Sequence, residues 1–403
     1  MILIKIGKVF STVRRDGLFR GGKRVLNYLG IFLKTMLGAG KGDVLIITQG
    51  VGDSAHYRAY SQAEELNIHG IKTSVMVQDN PFLSRYAKKF KIFILHRTLY
   101  TPTIARLIKN IKNLKREIIF ETDDLVFDID RVRQTGYYQE KMNALEKKQY
   151  EKGVGEEILK DSYVKVATTA TSYLAKILES YNKKVFISKN KLTNHELEVA
   201  DEIIKKIRNT KYKIQDTIKI GYFSGTASHN KDFATITDAL AEIMEKYENV
   251  GLLLVGPLDV ENRLNKFKER IIHLPLAPRG EYYKNLSKAD INLAPLVAGD
   301  PFCECKSELK FFEPGILGIP TVAVANQTFK EAITEGVDGF LAATKEEWIE
   351  KLERLIADEN LRKSMGEKAR EKALKDYTNK NSHNVEYYDY LRSRLDQNNE
   401  NSK

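Results

Sequence analysis

The sequence predicts an α/β protein: two doubly wound parallel-sheet domains facing a cleft, preceded by a basic helical extension. Three observations predict it. From Asp43 onward, short apolar and β-branched runs alternate with segments of helical periodicity, the rhythm of βαβ units. That series is interrupted at residues 190–215, a polar Lys-rich stretch, and then begins again. The charge is also uneven. Residues 1–41 hold nine basic side chains and one acid, so they carry +8 of a total of +11, and the other 362 residues carry only +3.

The extension comes first. Val25, Leu29, Phe32 and Met36 recur at helical spacing, with Leu26, Leu33 and Leu37 beside them. Lys5, Lys8 and Lys34 interrupt every apolar window, so nothing here reaches the roughly 20 apolar residues of a membrane span. The basic residues are spread too widely for a signal peptide. A basic helix with an apolar stripe predicts attachment to an anionic membrane surface, with packing on the main domain or a contact with another copy or partner as the alternative. The expected location is the cytoplasm, with peripheral attachment to the inner face of the cell membrane where the helix binds it.

The first domain is assigned to residues 42–200. Its strands are Val44–Thr48, Thr73–Val77, Ile92–Leu95, Ile118–Phe120, Val164–Thr168 and Val185–Ser188, and a helix is expected from Ser54 to Leu66. The second is assigned to 215–376, with strands Ile218–Ser224, Leu252–Val255, Ile271–Leu274, Ile291–Leu296, Thr321–Ala325 and Phe340–Ala342. A helix over 377–395 is expected to return to the first domain, and residues 396–403 to be disordered. Cys303 and Cys305 exclude a disulfide framework and point to a reducing compartment. Two reduced loop thiols are the expected state, with no structural metal site.

The most informative stretch runs from Asp290 to Ala325 and reads as strand, loop, helix, turn, strand. Ser307 suits an N-cap, and Pro314 predicts a kink or a later helix start. Free amides and the helix dipole at a strand's carboxyl end suit a diphosphate. Lys306 and Lys310 add positive charge, and Glu313 lies one turn further in, where it would accept from a ribose diol.

Asp290-Ile291-Asn292-Leu293-Ala294-Pro295-Leu296, followed by Lys306-Ser307-Glu308-Leu309-Lys310 and Glu313, resembles GT-B glycosyltransferases of the group 1, family 4-like class. Closer still is the likeness to bacterial transferases that make surface polysaccharide. Gly225 and Lys231 match that family's next motif, where Thr226 stands in place of its arginine, and Glu331 to Leu341 matches its closing motif. Two family glutamates eight residues apart are reduced to Glu313, since position 305 is a cysteine. The resemblance implies two Rossmann-like domains, a nucleotide-diphosphate-sugar donor held by the second, no metal or other cofactor, and retention of configuration. It implies donor contacts from Gly225, Thr226, Lys306, Ser307, Glu308 and Glu313, and catalytic roles for Lys231, Lys310 and His229. The acceptor, a glycan or a lipid-linked or cell-surface molecule, would meet Gly52, His56, Arg58, Arg97, Asp123 and Asp124 in the first domain.

Asp128-Ile129-Asp130 is a D-x-D triplet, which a metal reading would assign to a divalent cation; acceptor binding or hydrogen bonding by this acidic loop is preferred. A nucleotide-sugar epimerase or inactive homologue would share the fold. A nucleic-acid-binding protein would use the basic segment, but no recognition module follows it, so no nucleic-acid partner is expected. The residues name neither base, sugar, linkage nor oligomeric state.

Overall fold

The computed structural model describes residues 17–36, 38–40, 42–134, 154–209, 217–225, 229–259 and 262–400, with isolated positions at 13, 138, 139, 144 and 147. Thr226 and most of the extension before Gly17 lie outside the described residues. The chain divides into two compact units. One comprises Met1–Lys191, Cys305–Ser307 and Ser382–Lys403, and the other Leu192–Glu304 and Glu308–Asn381.

The first unit is built on β1 (Val44–Thr48), β2 (Thr73–Val77), β3 (Ile92–His96), β4 (Glu117–Glu121), β5 (Val166–Thr169) and β6 (Lys184–Ile187). They form one parallel sheet in the order β2-β1-β3-β4-β5-β6. Val44 to Ile47 and Ile92 to Leu95 are wholly buried, which explains their unbroken apolar character: helices cover both faces of a parallel sheet. The chain leaves β1 for β2 on one side and β3 on the other, so a crevice opens at their carboxyl ends. The register then puts Thr48 opposite His96, His96 opposite Glu121, and Glu121 opposite Thr168. Four polar residues thus stand in one row at or next to the carboxyl ends of four neighbouring strands.

The helix expected after β1 has three parts: Asp53–Ala55, a π-helical turn His56–Ser61, and Gln62–Ile68. A further helix, Pro102–Asn113, starts on its proline behind the Thr101 cap. The helix Val385–Glu400 belongs to this unit and seats Tyr387, Tyr388 and Leu391 in the core with Val44, Ile46, Ile92 and Ile94. It continues past Leu395 because helical order persists there, with the Arg394 guanidinium donating to Gln397 at 2.8 Å. Residues 396–400 are therefore helical where a disordered tail was expected; 401–403 lie outside the described residues.

The second unit contains β7 (Ile218–Phe223), β8 (Val250–Val255), β9 (Ile271–Leu274), β10 (Ile291–Ala294), β11 (Thr321–Val324) and β12 (Phe340–Ala342). Its parallel order is β12-β11-β10-β7-β8-β9, with the switch point between β7 and β10. Gly256, at φ +103°, closes β8; a Cβ there would lie 1.9 Å from the Ser224 carbonyl oxygen. Only glycine lets the loop after β7 approach so closely.

All twelve expected strands are present, each end within two residues. Three local expectations change. The stretch at 190–215 contains a helix, Asn194–Asn209, whose Ala200 and Ile203 are buried in the second unit's core. Its exposed lysines masked that face in the composition. Ser307 does not cap the helix Leu309–Gly315; Glu308 precedes its first residue, and Ser307 Oγ accepts from Asn190 Nδ2 at 2.8 Å. Pro314 lies inside that helix near its end, and the Lys310 carbonyl that lacks a backbone partner accepts from Asn292 Nδ2 at 2.7 Å.

Candidate active site

In the first unit the site grows from the strand-end row. His96 is buried, its Nδ1 2.9 Å from Thr48 Oγ1 and its Nε2 3.1 Å from Ser54 Oγ. Ser54 donates to Asp123, at 3.0 Å from Oδ1 and 2.8 Å from Oδ2. A neutral ring donating from Nε2 to Ser54 and accepting at Nδ1 from Thr48 satisfies every partner. Burial lowers the His96 pKa, and Asp123 only partly offsets it. Burial alone would raise the Asp123 carboxyl, but Arg97 and His96 outweigh it and hold the group well below the usual carboxylate range.

Arg97 follows β3 with φ +46°, in the left-handed region that non-glycine residues seldom occupy. Its guanidinium lies 2.5 Å from Asp123 Oδ1 through Nε and 3.2 Å from Asp124 Oδ2. Lys306 Nζ donates to the same Asp124 oxygen at 3.0 Å. Burial disfavours the Lys306 charge, yet Asp124 outweighs it and raises the pKa. Asp124 Oδ1 accepts from Leu125 N at 3.1 Å and so caps the short helix Leu125–Phe127. Asp123, Arg97, Asp124 and Lys306 form a chain of alternating charge.

Arg58 is not part of this cluster. It is 1% exposed, and its guanidinium holds Glu121 at 2.8 Å, the Ser188 carbonyl at 2.5 Å and Asn190 Oδ1 at 3.0 Å. The acceptor-side expectation for Arg58 is therefore corrected: it is an internal strut between β4 and the end of β6. Burial pushes the Glu121 carboxyl up to about 7 against the pull of Arg58 and Thr168. His56 begins the π-helical turn, half-buried, with its ring edge-on to Tyr57 at 5.0 Å. Gly52 precedes that helix, and a Cβ there would meet nothing within 4 Å. Asp128 of the D-x-D triplet pairs with Arg131 at 3.0 Å, while Asp130 is exposed.

In the second unit, His229 Nδ1 lies 2.8 Å from Asp232 Oδ2. The other Asp232 oxygen accepts from Val297 N at 3.2 Å and from the Cys303 thiol at 3.4 Å. Burial would raise the Asp232 carboxyl, but His229, Cys303 and Lys310 bring it below its ordinary value. Burial pushes the Cys303 thiol up, so it stays protonated as the donor. Lys231, the residue before Asp232, is exposed, and Lys310 Nζ stands 5.6 Å from the Tyr222 ring centroid. Gly225 is exposed with open space around it.

Glu313 is buried, and its carboxylate accepts from Tyr282 Oη at 2.8 Å and Arg279 Nη1 at 3.3 Å. Arg279 also holds Glu196 at 2.6 Å. Glu308 is buried as well and raises the pKa of the buried Tyr377 hydroxyl. Lys306 and Ser307 fall in the first unit, whereas Glu308, Lys310 and Glu313 fall in the second. Sequence reasoning missed Thr48, Ser54, Arg279 and Tyr282. A polar residue closing an otherwise apolar strand was the available signal for Thr48, and Gly50-Val51-Gly52-Asp53-Ser54 was that for Ser54. Nothing local marked Arg279 or Tyr282. Among the described residues, no group of three or more His, Cys, Asp or Glu side chains is placed to hold a metal ion.

Comparison with known proteins places the fold and the second unit's domain among known ones. Residues 204–372 match the family profile described as glycosyl transferases group 1. No curated protein sequence matches the chain. Among solved structures, Anabaena HepE in complex with UDP and glucose is similar at a TM-score of 0.58 and 13% identity, over 88% of this chain and 100% of that one. Sucrose-phosphate synthase from Thermosynechococcus elongatus is similar at 0.57 and 12% identity, over 89% and 98%. A glycosyltransferase from Rickettsia africae ESF-5 is similar at 0.55 and 14%, over 90% and 99%. The chain has the fold of GT-B glycosyltransferases, and most of its second unit is similar to the group 1 glycosyl transferase domain.

Proposed function

We propose that the protein transfers a sugar from a nucleotide-diphosphate sugar, with UDP as the nucleotide, to a lipid-linked or cell-surface glycan of the bacterial surface-polysaccharide type. The transfer retains configuration and uses no metal. The observation that carries this reading is the grouping at the carboxyl ends of β7 and β10, within the group 1 domain. There His229 is oriented by Asp232, and Lys310 and Lys231 supply positive charge. That UDP and glucose occupy the similarly folded HepE supports UDP as the nucleotide.

As the glycosidic bond breaks, negative charge grows on the leaving diphosphate. Lys310 and Lys231 stabilise that charge in the transition state more than in the ground state. Gly225 gives the donor close approach to the backbone, His229 faces the transferred sugar, and Glu308 and Glu313 border the nucleoside. The acceptor meets Gly52, His56, Arg97, Asp123 and Asp124 of the first unit.

Among the described residues no helix is long and apolar enough to cross a membrane. The proposed route to a lipid-linked acceptor is attachment of the basic N-terminal helix to the inner face of the cell membrane.

The test is kinetic. Lys310→Ala should cost about 2–4 kcal/mol of transition-state stabilisation, on the order of a hundredfold in kcat, with little change in thermal stability. Glu313→Gln should raise KM for the donor. Wild-type kinetics in both variants would remove the assignment.

A further inference from the structure

The Asp124 carboxylate is shared by two cations inside the first unit, Arg97 Nη2 at 3.2 Å and Lys306 Nζ at 3.0 Å. Arg97 reaches it from a backbone in the left-handed region, a conformation that costs energy and persists because the surroundings enforce it. Asp124 Oδ1 accepts from Leu125 N at 3.1 Å, which holds the carboxylate with Oδ2 toward the two cations. Asp123 meanwhile takes the other edge of Arg97 and accepts the Ser54 hydroxyl proton between its two oxygens. Lys306 is about a third exposed, so the pair remains open to solvent and to a competing anion. Two convergent cations with one carboxylate between them match a diphosphate's geometry and charge.

We propose that Arg97 and Lys306 form a diphosphate-binding site in the first unit, and that Asp124 is its internal competitor. Asp124 fills the site until a diphosphate displaces it, and so sets how tightly that ligand is held. The diphosphate belongs either to the nucleotide donor or to a lipid-linked acceptor. The donor assignment rests on the function proposed above; the site itself does not. Asp124→Asn removes the competing charge while an asparagine still caps the helix Leu125–Phe127.

The experiment is calorimetric titration of the full-length protein with inorganic pyrophosphate and with UDP, each at two salt concentrations. The proteins are wild type, Asp124→Asn, and Asp124→Asn combined with Lys306→Ala. Asp124→Asn should tighten pyrophosphate binding by about two- to fivefold, the range a partly screened ion pair supports, and adding Lys306→Ala should abolish the gain. The gain should shrink at high salt. An equal gain with UDP assigns the site to the donor; a gain with pyrophosphate alone assigns it to an acceptor's diphosphate. Unchanged or weaker pyrophosphate binding in a folded Asp124→Asn protein would overturn the competitor. If UDP binds no variant while pyrophosphate still responds, the nucleotide reading falls and this site stands.

Discussion

Arg58 and Arg97 have the same side chain and opposite environments. Both stand beside a polar neighbour near a strand or helix end, and nothing within a few residues of either distinguishes them. Arg58 is consumed by Glu121, Ser188 and Asn190 in the core, whereas Arg97 stays at the surface between two aspartates. Tertiary contacts more than 60 residues away decide the difference for Arg58. Removing one partner of a buried ion pair leaves the other charge uncompensated, so Arg58→Ala should destabilise the fold by about 3–5 kcal/mol in denaturant unfolding. An effect below about 1 kcal/mol would contradict the strut. His96 and Asp123 set the acid limit. The folded His96 pKa is depressed, so its stabilising share is present above the unfolded value of about 6.5 and is lost as pH falls below it. The Asp123 pKa is depressed too, so its share persists down to about pH 4 and is lost only below that. Melting temperature should therefore fall from about pH 6.5 downward, and His96→Asn should flatten the upper part of that fall. A variant with the wild-type slope would show that His96 is not the group.

At the scale of elements, the strands were legible because a parallel sheet covered on both faces demands continuous apolar runs, as in Val44 to Ile47. The π-helical turn His56–Ser61 was not legible, because its one-residue widening leaves the apolar spacing nearly unchanged. The helix Asn194–Asn209 was hidden by its exposed charges, while Ala200 and Ile203 carried its buried side. The N-terminal helix Leu18–Met36 was legible as amphipathic, but its apolar stripe is divided. Val25 and Phe32 are half-buried, and the helix packs on β2. Leu26, Leu29 and Leu33 face solvent, at 67%, 48% and 52% exposure, on a segment rich in lysine and arginine. A basic helix with an exposed leucine face suits an anionic bilayer surface. Substituting Leu26, Leu29 and Leu33 by serine should reduce co-sedimentation with vesicles containing anionic lipid, and should leave melting temperature nearly unchanged. Undiminished sedimentation would remove membrane attachment through this face.

The whole molecule repeats one plan twice. Each unit is a parallel sheet with a topological switch, between β1 and β3 in one and β7 and β10 in the other, and each gathers its polar residues at the carboxyl ends beside that switch. The number of sheets could be read from the repeated βαβ rhythm; the strand order could not, because pairing is a long-range property. The division of Lys306 and Lys310 between units was equally hidden in a five-residue motif that reads as continuous. The central proposal is that the protein acts as a glycosyltransferase on a nucleotide-diphosphate-sugar donor. Its most direct test is a thermal-shift titration with UDP-, GDP-, ADP- and CMP-linked sugars. A UDP-linked sugar at a hundred times its Kd should stabilise the protein by about 2.7 kcal/mol, and the others at the same concentration by less. A correctly folded protein whose melting temperature responds to none of the four would contradict the claim.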